Sequence, residues 1–168
     1  MGHRVDERHF NTLFICTGNS ARSILAEGLM NHLGRGRFQA FSAGSHPKGE
    51  VHPLALETLK SLKIPTDGFR SKPWEEFARP DAPRLDFVFT VCDKAAGEVC
   101  PLWPGQPMTA HWGVPDPAAV KGTREQQSQA FLDSAITLRR RIELLMTLPI
   151  ASLDSVAIQR RITDIGKS

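Results

Sequence analysis

The feature that most constrains this chain is a short polar loop set between two apolar segments of different periodicity. Residues 12–15, Thr12-Leu13-Phe14-Ile15, read as a buried strand. Residues 23–33 place Leu25, Leu29 and Leu33 four apart, the spacing of one helix face, with Gly34 just past the end. Between them runs Cys16-Thr17-Gly18-Asn19-Ser20-Ala21-Arg22-Ser23. A strand that passes through such a loop into a helix begins a parallel β-α unit. The loop then lies at the carboxyl end of the strand, where open parallel sheets bind ligands.

The rest of the chain repeats that alternation. Residues 38–41 and 86–91 read as strands, and 108–112 as a weaker one. Residues 52–62 carry Ala55, Leu59 and Leu62 on one helix face, and 74–77 form a short helix after Pro73. A long helix over 123–148 has the stripe Phe131, Ala135, Leu138, Ile142, Leu145 and ends at Pro149. A last helix covers 153–165, closed near Gly166. The pattern predicts an α/β fold: a single domain, a four-stranded parallel sheet with helices on both faces, flavodoxin-like. One domain over residues 1–168 is expected, with 1–10 flexible and 150–168 a helical extension packed on the core.

A hydrophobic content of 40% with 23% charged residues excludes a disordered chain. No apolar run approaches the length of a bilayer span, and MGHRVDERHF lacks the apolar core of a signal peptide, so no membrane contact and a cytoplasmic location are expected. The net charge of +3 is dispersed. Arg139-Arg140-Arg141 and Arg160-Arg161 read as solvated helix faces, and no nucleic-acid partner is expected.

The loop carries the chemistry. Successive backbone N–H groups in a tight turn converge on an anion, and the helix start adds its positive end. Thr17, Gly18, Asn19, Ser20, Ala21 and Arg22 are therefore expected to hold a tetrahedral oxyanion, with the Arg22 fork on two of its oxygens. The same field is expected to lower the Cys16 thiol to a thiolate, which attacks. Ser23 is placed to donate to that thiolate, Gly18 to permit the turn, and Asn19 to brace the loop through its amide. A covalent intermediate needs an acid for its leaving group. Asp116, after the fourth strand in His111-Trp112-Gly113-Val114-Pro115-Asp116-Pro117, sits at the same sheet edge; an Asp-Pro pair by itself also serves simply as a turn. The three cysteines, Cys16, Cys92 and Cys100, argue against a disulfide framework. Cys92 and Cys100 are either reactive or packing thiols. A zinc site joining them to His111 lacks any Cys-x2-Cys pair, so no metal is expected.

The segment Leu13-Phe14-Ile15-Cys16-Thr17-Gly18-Asn19-Ser20-Ala21-Arg22-Ser23 resembles the low-molecular-weight protein tyrosine phosphatase superfamily. With Phe41-Ser42-Ala43-Gly44, Val91-Cys92, Cys100-Pro101, His111-Trp112-Gly113 and Asp116-Pro117-Ala118, it is similar to the thioredoxin-coupled arsenate reductase branch over about residues 11–148. The resemblance implies that Cys16 attacks arsenate, for which phosphate or sulfate is a mimic, and that Asp116 protonates the departing oxygen. Cys92 then attacks the Cys16 sulfur and releases arsenite, and Cys100 attacks Cys92 to leave a Cys92–Cys100 disulfide. An external thiol, thioredoxin or glutathione with glutaredoxin, reduces that bond. No bound cofactor and a monomer are implied.

The competing function is phosphate monoester hydrolysis through a Cys16 phosphoenzyme. Phosphatases of the superfamily follow their Asp-Pro with tyrosines; here Ala118 and Ala119 follow, and the chain has no tyrosine. They also lack the Cys92…Cys100 pair. A non-catalytic oxyanion sensor is the third reading. The Cys-x7-Cys spacing is one residue longer than the resemblance implies. Some relatives hold potassium with an Asn, a Glu, a Ser and an Asp. Asn19, Glu27 and Ser42 match three of these, and Lys72 falls at the fourth. Its ammonium either takes the place of the ion or points to solvent. His46, His52, Trp74 and Trp103 are placed near the site entrance without assigned roles.

Overall fold

Why the loop ends up in a crevice follows from the order of the strands. In the computed structural model, which describes residues 9–98 and 101–168, the chain runs β1 (Phe10–Cys16), α1 (Arg22–Leu33), β2 (Phe38–Gly44), α2 (Pro53–Ser61), a 3-10 turn (Trp74–Phe77), β3 (Phe87–Thr90), α3 (Asp93–Ala96), β4 (Met108–His111), α4 (Arg124–Thr147) and α5 (Ser155–Ile165). Short 3-10 turns at Pro117–Ala119 and Ile150–Ser152 flank α4. The four strands form one sheet in the order β2-β1-β3-β4, and every pairing is parallel. The chain leaves β1 for β2 on one side and returns to β3 on the other. That reversal opens a crevice at the carboxyl ends of β1 and β3.

Successive side chains of a strand face opposite sides of its sheet. Thr12, Leu13, Phe14 and Ile15 are all 0% exposed, so both faces of β1 are covered, as the unbroken apolar run requires. Phe14, Phe89 and Trp112 stack across β1, β3 and the residue after β4, with 3.7 Å between the Phe89 and Trp112 centroids. α4 starts in a capping box, Thr123 accepting from the Gln126 N–H and Gln126 accepting in return.

Three expectations need correction, and one element is added. Phe10 is in β1, buried and paired with Phe38, so the stretch expected to be flexible does not reach residue 10; residues 1–8 lie outside the described part. β2 continues beyond residue 41 to Gly44, whose strand end is bridged by Pro73. Its last residues are small, and they are buried because the oxyanion loop lies over them, which hydrophobic periodicity does not register. The segment after Cys92, to which the sequence assigns no element, opens with one helical turn, α3. Arg141, expected on a solvated face, is 7% exposed and donates from Nη1 to the Gly113 carbonyl at 2.9 Å.

Candidate active site

The residues after β1 form a loop whose carbonyls face outward. Thr17 O accepts from the His46 N–H, Gly18 O from the Lys48 N–H, Ser20 O from the His52 N–H, and Ala21 O from the Leu25 N–H, all at 2.9 Å. With the carbonyls turned away, the N–H groups are left on the inner side. Among the described residues, no protein acceptor takes the N–H of Gly18, Ser20 or Ala21. This is the donor array an oxyanion needs. It lines a cavity of about 190 Å³ together with Cys16, Arg22, His46, Lys48, Asp116 and Ala118. A larger groove between α2 and α4 is lined by Glu57 and Arg124, already paired with each other at 2.7 Å, and contains no cysteine.

Asn19, not Gly18, takes the left-handed backbone that closes the turn, with φ 45°. The strain is affordable because its side chain is fully buried and fully bonded. Asn19 Nδ2 donates to Ser23 Oγ at 2.8 Å and to Ser42 Oγ at 3.0 Å, and Asn19 Oδ1 accepts from the Lys72 N–H at 2.9 Å. The expected brace is there. Ser23 Oγ, expected at the Cys16 sulfur, is engaged by Asn19 and makes no hydrogen bond to Cys16. Gly44 is required for a different reason: a Cβ there would lie 2.5 Å from Thr17 O.

Beneath the loop, Ser42 Oγ donates to Glu27 Oε1 at 2.5 Å, and Lys72 Nζ lies 3.9 Å from the same oxygen while donating to Arg70 O at 3.0 Å. Lys72 is 7% exposed, so the alternative of a solvent-pointing lysine falls. Its ammonium lies beside Glu27, and its backbone N–H is bonded to Asn19. Burial pushes the Glu27 carboxyl up and the Lys72 ammonium down, and each charge opposes the other's shift.

The two described cysteines meet at the mouth of the loop. Cys92 Sγ accepts the Thr17 N–H at 3.3 Å and lies 3.5 Å from Thr17 Oγ1. The neighbouring Cys92 sulfur, then burial, push the Cys16 thiol up, and the Arg22 charge only partly offsets them. Cys16 in turn holds Cys92 down to about 5, with help from Thr17 and the Ala95 N–H and against burial. In the site without an oxyanion these effects favour negative charge on Cys92 over Cys16, the reverse of the order the loop alone suggests. Cys92 also occupies a loop donor, a contact between residues 75 apart. Cys100 lies outside the described residues.

Asp116 is brought to the site by the loop after β4. Its Oδ2 is 3.8 Å from Arg22 Nη2, its Oδ1 accepts the Ala118 N–H at 3.0 Å, and its side chain is 41% exposed. Arg22 also donates from Nη1 to Val114 O at 3.1 Å, so one guanidinium ties the oxyanion loop to the Asp116 loop. His111 bridges Thr90 Oγ1 and Asp93 Oδ1, each at 2.8 Å, instead of joining a metal site, and no metal-binding cluster occurs among the described residues. His46 lines the cavity; its ring lies 3.4 Å from Glu98. His52 caps α2 and packs on Phe131, while Trp74 is buried edge-on to Trp103. Lys48, which sequence reasoning missed, lies over Gly18. Its signal was the Ser45-His46-Pro47-Lys48 stretch, which becomes part of the site once β2 is carried to Gly44.

Residues 11–154 match the low molecular weight phosphotyrosine protein phosphatase family. The arsenate reductase of Shouchella clausii is 35% identical over 119 residues, 70% of this chain and 81% of that protein. A solved arsenate reductase in the phosphate binding state superposes with a TM-score of 0.67 and 28% identity, over 82% of this chain and 96% of the other. The thioredoxin-dependent arsenate reductase of Corynebacterium glutamicum superposes with a TM-score of 0.57 and 27% identity, over 83% of this chain and 65% of that one.

Proposed function

Because the chain belongs to the low molecular weight phosphotyrosine protein phosphatase family, we propose that its oxyanion loop serves the reduction of arsenate to arsenite. The observation that carries this reading is the position of Cys92: a second thiol beside Cys16 that accepts from a donor of the oxyanion loop. Hydrolysis of a phosphate ester has no use for a thiol there. A reductive exit from a covalent adduct requires one.

Arsenate enters the 190 Å³ cavity, displaces Cys92 from the Thr17 N–H, and is held by the loop N–H groups and Arg22. The Cys16 proton passes to Cys92 as the Cys16 sulfur attacks arsenic, and Asp116 protonates the departing oxygen, which leaves as water. Cys92, deprotonated again, attacks the Cys16 sulfur. The S–As bond breaks with its electron pair left on arsenic, so As(V) becomes As(III) and two thiols become the Cys16–Cys92 disulfide. Cys100 then attacks Cys92, frees Cys16 and leaves Cys92–Cys100. An external dithiol reduces that bond; thioredoxin is favoured by the thioredoxin-dependent relative, with glutathione and glutaredoxin as the alternative. Among the described residues no helix is long and apolar enough to cross a membrane. A cytoplasmic monomer is the proposed setting, since the relay needs reduced thiols.

Hydrolysis of small aryl phosphates is proposed as a residual activity, because arsenate and phosphate esters load the same loop. The test is a disulfide map by mass spectrometry of reduced protein incubated with arsenate. Arsenate-dependent Cys16–Cys92 or Cys92–Cys100 bonds are expected. Arsenate binding without either bond overturns the relay and leaves the sensor reading. A coupled assay run separately with thioredoxin and with glutathione plus glutaredoxin identifies the reductant.

A further inference from the structure

Helix α5 lies almost wholly beyond the residues that match the family, which end at 154. It buries Ile158, Ile162 and Ile165 against the core and runs beside β4, where Gln159 Nε2 donates to Thr109 O at 2.8 Å. Its other contacts, and those of the turn after it, fall on His111–Gly113 and on α4, where Arg140 Nη2 also donates to Ser168 O at 3.1 Å. Trp112, fully buried, donates from Nε1 to Ile162 O at 2.9 Å. Gly166 comes so close that a Cβ would stand 2.2 Å from His111 O. Ser168 O accepts from Arg141 Nη2 at 3.2 Å, and the same guanidinium donates to Gly113 O. His111, Trp112 and Gly113 lead directly into Asp116.

Arg141 is the informative member. It is 7% exposed, and its Nε is buried without a partner. A buried guanidinium with an unmet donor is a poor way to pack a helix, and an apolar side chain would serve better. What an arginine alone supplies is a rigid fork that reaches two acceptors at once. Here the acceptors are the carbonyl three residues before Asp116 and the turn that follows α5. Among the described residues the Asp116 carboxylate meets only the Ala118 N–H and, loosely, Arg22, while the Asp116 carbonyl accepts the Ala119 N–H of the turn that follows. Its place is therefore set by the backbone on either side, and on the N-terminal side by 112–115.

We propose that α5 and the turn 166–168 form a clamp that positions the general-acid loop, with Arg141 as the positioning residue that joins the two. The proposal rests on the reading of Asp116 as the leaving-group acid. The clamp acts chiefly on the acid: no residue of α5 lines the Cys16 cavity, and the backbone it holds reaches the oxyanion loop only through the Arg22–Val114 O bond.

The experiment is a mutant cycle on the full chain. Asp116→Asn is expected to lower kcat for arsenate by about 10²–10⁴-fold. Arg141→Gln is expected to lower kcat about tenfold, with KM unchanged within about twofold. In the Asp116→Asn background the Arg141→Gln loss disappears, since a misplaced acid costs nothing once the acid is gone. An equal Arg141→Gln loss in both backgrounds, or a loss in KM alone, overturns the clamp while leaving Asp116 as the acid. An unchanged Asp116→Asn enzyme overturns the acid assignment, and the clamp with it. Gly166→Ala, whose Cβ would stand against His111 O and Trp112 and so force the turn 166–168 away, leaves the Arg141 and Asp116 side chains in place and reaches the same device from its other end. It is expected to speed amide exchange at Trp112 and Val114 severalfold. Unchanged exchange there overturns the clamp whether or not arsenate is turned over.

Discussion

The oxyanion loop and the segment after Cys92 face each other across two sulfurs, yet they are held in opposite ways. The loop is fastened by backbone: four of its carbonyls accept backbone N–H groups, and Asn19 beneath it is fully buried. The segment 93–98 is fastened at its ends by side chains. Asp93, 96% exposed, meets His111, and the half-buried Glu98 accepts from Ser45 Oγ at 2.6 Å. Buried backbone bonds are costly to lose, whereas exposed ion pairs contribute about 0–1 kcal/mol. One region is built to present the same donors at every turnover, the other to let go of Cys92 after it has reacted.

The most severe way to break that comparison is at the sulfurs. Cys16→Ser is expected to abolish arsenate reduction and aryl phosphate hydrolysis together, by about 10³-fold or more. Cys92→Ser is expected to abolish reduction and spare hydrolysis. Steady-state rates on both substrates decide this; joint loss in Cys92→Ser makes Cys92 part of the loop's scaffold.

Next in size is the floor of the loop. Lys72→Met leaves Glu27 buried beside Ser42 without its cation, an expected loss of about 3 kcal/mol at neutral pH. The sign follows from Glu27. Its folded pKa is already raised by burial and rises further without the lysine, so stability is retained below the ordinary carboxylate range and lost as pH climbs through the folded value. Denaturant midpoints for variant and parent should therefore converge in acid. In the parent protein, exchanging potassium for sodium should leave activity unchanged, because Lys72 already fills the position; severalfold activation by potassium contradicts this.

A smaller effect concerns the charge on Cys92. Alkylation of Cys92 in the parent should follow a thiolate with a midpoint of about 5. Cys16→Ala removes the leading cause of that depression and should move the midpoint upward, read by mass spectrometry of the labelled peptide across pH. The smallest effect is expected in the segment after Cys92. Asp93→Asn should change stability by less than about 1 kcal/mol. A loss as large as that of Lys72→Met erases the contrast between the two regions.

Much of this was legible in the sequence because it depends on local order. β1, the loop and α1 are contiguous, so the apolar run, the polar octet and the Leu25-Leu29-Leu33 repeat together announce an anion site at a strand end. Asp116 was legible for the same reason, one loop after a strand of the same sheet. Asn19 was recognised as the brace, but the turn itself was assigned to Gly18. Composition favours glycine at such a turn, whereas the buried amide network makes Asn19 tolerable there. Lys48 and the role of Arg141 were missed because each is defined by a neighbour remote in sequence: the β2 end that passes under the loop, and the carbonyls of Gly113 and Ser168.

The sequence by itself determined the strand-loop-helix unit, the identity of the nucleophile candidate and the parallel α/β class, since these follow from periodicity and short-range backbone geometry. Only the tertiary structure decided how the two sulfurs meet, where Lys72 is buried and what surrounds Asp116. Each of those depends on burial and on contacts between distant segments. Thr17 and Cys92, 75 positions apart in the chain, close to 3.3 Å, and the second sulfur is thereby set at the oxyanion loop.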